Sequence, residues 1–209
     1  MKKNFCRSFT NHLKHNLVLY TLICIFLIFG IVLGSVGAKS LDSNQTGSLG
    51  DYLNNFVSSF SKLQVEPEVL ASASLVTNIK LLLLIWFLGL TIIGVPIIFL
   101  AIMLKGFYLG FTVGFLIQEK GIQGILFTAI ALLPQNIFNL PALVVSGVIA
   151  ASFSIWLLQG RFKNPNEKLS QQFFAYTLVF CSLGLVIACG SFLEGYLTPW
   201  LLRAALALF

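Results

Sequence analysis

Twenty-two residues in a row, Leu17 to Ala38, carry no charge. As a helix rising 1.5 Å per residue, that run is about 33 Å long, enough to cross a hydrocarbon core of roughly 30 Å. It exceeds the roughly 7–15 residues of a signal-peptide core, so it reads as a retained anchor. Other long apolar runs follow it. Of 209 residues, 57% are apolar and only 10% charged, where soluble globular proteins carry roughly a quarter. Mean hydropathy is +0.92. These figures exclude a disordered chain, a nucleic-acid-binding domain and an ordinary soluble enzyme. Unbroken apolar runs also argue against a membrane β-barrel, whose strands alternate apolar and polar. The expected fold is an all-α polytopic membrane helix bundle of about five spans.

The net charge of +6 is read as a topology signal, because basic residues cluster just outside the apolar runs. Residues 1–16 hold Lys2, Lys3, Arg7 and Lys14 and no acid, with Phe5, Phe9 and Leu13 on one helical face. A basic amphipathic segment of this kind lies along the anionic cytoplasmic leaflet. Span 1 is expected over 17–38, with Gly30 and Gly34 as candidate helix-packing residues. Residues 39–78 are the long polar stretch, with net charge −2, and are placed outside the membrane. Within it Leu49, Leu53, Phe56 and Phe60 follow a helical rhythm and form a candidate partner-contact face. Pro67 suits the first position of a new helix that runs straight into the next span.

Span 2 is expected over 79–104, with Lys105 ending it on the cytoplasmic side. Span 3, over 106–118, carries Gly106, Gly110 and Gly114 at spacing four, a bare stripe for close helix packing. Residues 121–139 are expected as a half-helix or re-entrant segment, with its helical part, 122–133, ended by Pro134. The fold is thus expected to be broken near 119–141, where Pro134, Asn136, Asn139 and Pro141 form a broken-helix motif. Span 4 (140–159), a cytoplasmic loop (160–170), span 5 (171–193) and an extracytoplasmic tail (194–209) complete the chain. Five spans put Lys2, Lys3, Arg7, Lys14, Lys105, Arg161, Lys163 and Lys168 inside, 8 of the 13 basic residues. Six spans would leave 6 of 13 inside. The positive-inside rule therefore favours five, with the N-terminus cytoplasmic and the C-terminus outside.

Catalytic motifs are missing from the sequence: there is no HExxH, GxSxG, P-loop or dinucleotide fingerprint. Cys6, Cys24, Cys181 and Cys189 form no CxxC pair and read as packing residues. His12 and His15 share a face without a third ligand. Glu119 and Glu194 stand only at span edges, and the span interiors are expected to hold no acid or histidine. No catalytic residue, metal or cofactor is assigned, and no nucleic acid is expected as partner. A scaffold is the first reading; a permease-like membrane subunit working with a separate ATPase is the alternative.

Asn78-Ile79-Lys80, Gly89, Gly94, Gly106 and Gly110, together with Pro134-Gln-Asn-Ile-Phe-Asn-Leu-Pro141-Ala142, resemble the stage II sporulation protein M family. The broader family typically has Asn where Lys105 stands and Glu where Asn139 stands. The resemblance covers nearly the whole chain. It implies a non-enzymatic scaffold in the mother-cell septal and engulfing membrane, which anchors and localises peptidoglycan hydrolases during forespore engulfment. The implied partners are stage II sporulation proteins D and P, beside membrane lipid. Self-association as a homo-oligomer is left open.

Overall fold

The computed structural model describes residues 16–42, 47, 49–50, 67–91, 93–163 and 169–206. Among them the chain forms five helices and no strand: α1 (Leu17–Lys39), α2 (Pro67–Gly89), α3 (Gly94–Lys120), α4 (Ile122–Lys163) and α5 (Leu169–Leu206). Each contains a stretch long and apolar enough to span a membrane. The molecule is an all-α polytopic membrane helix bundle. Its polarity is that of a lipid-solvated body. Ile25, Phe29 and Val32 of α1, Phe87 of α2 and Leu185 of α5 face outward, while Ser146, Ser154 and Ser191 are buried. In hydrocarbon the outward apolar groups are at no disadvantage, and polar groups must find partners inside.

The closest helix pair is α1 with α3, and glycine sets its spacing. A Cβ on Gly30 or Gly34 would strike the carbonyl oxygens of Met103 and Phe107. A Cβ on Gly106 or Gly110 would strike those of Leu27 and Ile31, and one on Gly114 would come within 3.0 Å of the Ser35 Cα. The five glycines thus face one another's backbones across one seam. Leu27, Ile31 and Ser35 meet Gly106, Gly110 and Gly114 in the same order, so the two helices run parallel. Phe107 and Phe111 stack beside the seam with ring centroids 6.1 Å apart.

The structure differs from the expected boundaries between spans 2 and 3. Instead of helix over 79–104 and a separate short one over 106–118, α2 stops at Gly89 and α3 runs unbroken from Gly94 to Lys120. The turn between them is apolar, which is why hydropathy alone passes over it. Backbone N–H groups of Leu90 and Thr91 donate to the Phe87 and Leu88 carbonyls at 3.1 and 3.0 Å, and Gly94 donates to Thr91 at 3.2 Å. Ser154 of α4 donates to the Thr91 carbonyl at 2.7 Å and ties the turn to the bundle. Pro96 sits in the first turn of α3, where a missing N–H costs no helical bond. Lys105 is therefore interior to α3 and does not end a span.

The expected break at Pro134 also moves. Helix α4 runs through both Pro134 and Pro141, and the chain reverses at Gly121 instead, the one described residue with positive φ, +57°. An interior proline removes one hydrogen bond and bends a helix, without ending one that packing holds on both sides. Beyond the turn, α4 returns close to α3, since a Cβ on Gly124 would strike the Leu116 carbonyl. At 42 residues α4 is about 63 Å long, and its membrane-length stretch is Asn136–Leu158. Helix α5 likewise continues past the expected end of span 5 at residue 193, through to Leu206. Of the loop expected over 160–170, residues 160–163 belong to α4 and 169–170 to α5.

Around this frame Ile23, Ile85, Ile98, Ile102 and Val148 form the fully buried core. Tyr176 of α5 donates to the Trp86 carbonyl of α2 at 2.8 Å and stacks on Phe153 of α4 at 4.4 Å between centroids. Residues 1–15, with His12 and His15, and the face residues Leu53, Phe56 and Phe60 lie outside the described residues. Leu49 is half-buried. Its neighbour Gly50 comes to the far end of α3, where an added Cβ would lie 3.0 Å from a Glu119 carboxylate oxygen.

Candidate functional site: a polar cluster at mid-membrane depth

The depth of Lys105 follows from its neighbours. Lys105 precedes Gly106, which packs on Leu27. Leu27 is ten residues from Leu17 and twelve from Lys39 in a helix uncharged between its ends, about 15 and 18 Å from them. Lys105 is thus held near the middle of the bundle. A charged group there is expensive unless oxygen atoms surround it.

Those oxygens come from α2 and α5. The Lys105 ammonium donates to the Asn78 side-chain oxygen at 3.2 Å. The Asn78 amide donates onward to the Ser74 hydroxyl at 3.2 Å, one helical turn away. Ser74 donates to the Glu194 carboxylate of α5. The Ser191 hydroxyl lies 3.3 Å from that of Ser74. A cation and an anion on separate helices are thus joined through an amide and a hydroxyl on a third. Spacing makes this assembly local: Ser74 and Asn78 stand at i and i+4 on α2, and Ser191 and Glu194 at i and i+3 on α5, each pair on one face.

Helix α4 adds Asn139, 6% exposed, to the same region. With Asn78 and Lys105 it lines a small cleft closed by Leu81, Leu82, Leu143 and Ile187. Its side-chain oxygen is buried with no hydrogen-bond partner among the described residues. Gly190 of α5 lets it sit this close, since a Cβ there would come within 2.8 Å of that oxygen. Four helices therefore converge here. The arrangement can hold opposite charges apart through neutral dipoles and lock helix positions. Among the described residues no group of three or more His, Cys, Asp or Glu side chains could hold a metal ion.

The structure gathers some of the residues singled out from sequence and disperses others. Asn78, Lys105 and Asn139 meet in the cleft. Asn136 does not join them; its amide donates to the Leu132 carbonyl one turn back at 2.8 Å. Pro134 is half-buried and Pro141 exposed, both within α4. Glu194 sits against the interior, so the expectation of an interior without ionisable groups is corrected. The missed signal was the pairing of one lysine within apolar sequence with Ser74, Asn78 and Glu194 at helical spacing.

Comparison with curated proteins and with solved structures finds no match. A family model described as stage II sporulation protein M matches residues 23–199, which reaches from α1 into α5 and includes every member of the cluster. The chain belongs to the stage II sporulation protein M family, and is a sporulation-related, multi-pass membrane protein.

Proposed function

We propose that this chain is a non-enzymatic membrane scaffold that anchors and localises peptidoglycan hydrolases while the forespore is engulfed. Its partners on this reading are stage II sporulation proteins D and P, as the family resemblance implies. The observation that supports the reading is the direction of the interior polar groups. Lys105, Asn78, Ser74 and Glu194 bond to one another across helices, which stiffens a platform and leaves the wall-cutting chemistry to other proteins. In this reading the segment between α1 and α2 faces the wall space. Gly50 within it lies beside Glu119 at the end of α3, a point where this segment meets the platform. The N-terminus is cytoplasmic and the C-terminus outside, in the mother-cell septal membrane.

The test is co-purification from sporulating cells. The full chain is expected to bring down both hydrolases, and to lose them when Leu53, Phe56 and Phe60 are replaced by Glu. The purified chain alone is expected to release no peptidoglycan fragments. Retention of both partners by the charged variant would contradict docking on the outer face, and turnover by the isolated chain would contradict the scaffold itself.

A further inference from the structure

Lys80 is the one charge of α2 beyond Glu68 in its first turn, and the cluster does not account for it. It lies two residues beyond Asn78, so its depth differs by only about 3 Å. Its side chain leaves the opposite side of the helix and is exposed. No described residue gives it a hydrogen bond or ion pair. Gly89, where α2 ends, is nine residues away, about 14 Å along the axis, too far for a four-carbon stem to carry the ammonium to water. A bare cation facing hydrocarbon at this depth is unfavourable enough to mark a missing partner.

A groove runs beside it. Thr77, Leu81 and Leu84 of α2 form one wall and Leu104, Tyr108 and Thr112 of α3 the other. Thr77 and Leu84 stand at i−3 and i+4 from Lys80, so the exposed Lys80 leaves α2 on the face that adjoins this wall. Lys105 also lines the groove, but its ammonium is engaged by Asn78. Apolar walls with a few hydroxyls and one uncompensated cation fit an apolar helix bearing one anion. A lipid headgroup does not fit, because it would sit roughly 15 Å away at the interface. A second copy of the chain does not fit either. Its Glu194 is turned to its own Ser74, and its other acids lie at helix ends, as Glu68 and Glu119 do, or in connecting segments.

We propose that the α2–α3 groove docks a transmembrane helix of another protein, one that carries a carboxylate at mid-bilayer depth and pairs it with Lys80. The proposal deepens the scaffold reading, rests on it for the existence of a partner, and adds that the partner carries a membrane-spanning helix. Lys80 supplies the selectivity, and the groove walls supply packing for the aliphatic side chains on either side of the acid.

The test uses synthetic helices, so it reads the groove independently of hydrolase capture. The full chain, carrying a donor dye, is reconstituted in phosphatidylcholine vesicles with acceptor-labelled polyleucine peptides of about 22 residues. The central residue of each peptide is Glu, Gln or Leu. Energy transfer is expected to show the Glu peptide binding about tenfold more tightly than the Leu peptide. Lys80→Leu is expected to reduce that ratio to about one; should it fold poorly, Lys80→Gln carries the same expectation. Lys80→Glu is expected to reverse the preference towards a Lys-centred peptide. Equal binding of all peptides to the wild type would overturn the proposal, as would a preference that survives loss of Lys80. Chain-to-chain transfer abolished by Lys80→Leu would also overturn it and assign the groove to a second copy. Either failure would leave capture of hydrolases through the outer segment untouched, and loss of that capture would leave the peptide result standing.

Discussion

A lysine eleven residues inside an apolar helix survives because its ammonium meets the oxygen of Asn78, and because Asn78 and Ser74 link it to the Glu194 carboxylate. Removing one partner leaves the other buried and uncompensated. Lys105→Met is therefore expected to destabilise the bundle by about 3–5 kcal/mol. The double variant Lys105→Met/Glu194→Met should recover most of that loss, since two charges leave together. Unfolding in mild detergent measures both, and strictly additive losses would contradict the coupling. Ser74→Ala should cost about 1–3 kcal/mol in the same assay, because the Asn78 amide and the Glu194 carboxylate both lose a neighbour. At this scale sequence reading was weakest. A lone lysine between apolar runs looks the same whether it ends a span or is buried within one, and only the partner helices decide.

Between elements the α1–α3 seam is the most demanding contact, since backbone meets backbone. Gly110→Leu has nowhere to place its side chain but the Ile31 carbonyl, and should cost at least about 1–3 kcal/mol by overpacking. The parallel register makes a sharper forecast. In a background with Cys6, Cys24, Cys181 and Cys189 replaced by Ser, Ala38→Cys and Gly114→Cys should form a disulfide on mild oxidation. The relevant Cβ positions are 3.2 Å apart. Ala38→Cys with Gly106→Cys, two helical turns away, should not link. Efficient linking of that second pair would refute the register. The glycine spacings were legible in sequence, as was the start of α2 at Pro67. The α2–α3 turn was not, because Leu90, Thr91, Ile92 and Ile93 are as apolar as the helices they join. Pro134 and Pro141 misled in the opposite sense: both are tolerated inside α4 and only Gly121, with its positive φ, reverses the chain. Pro134→Ala is accordingly expected to leave helix content, read by circular dichroism, unchanged.

Across the molecule the five described helices alternate in direction, so the turn before α3 and the turn after it lie on opposite faces. With a cytoplasmic N-terminus, Gln118→Cys should react with an impermeant thiol reagent in intact cells, and Ile93→Cys only after permeabilisation. On the scaffold proposal the bundle is a passive platform, whose interior charges hold helices and perform no chemistry. The most direct measurement is engulfment and spore yield in cells whose only copy carries Lys105→Met/Glu194→Met, with abundance and membrane insertion monitored alongside. A platform predicts near-normal engulfment whenever the variant folds and accumulates as the wild type does. Failure of engulfment with a folded, fully abundant variant would contradict it, and would make the Lys105–Glu194 pair a working site.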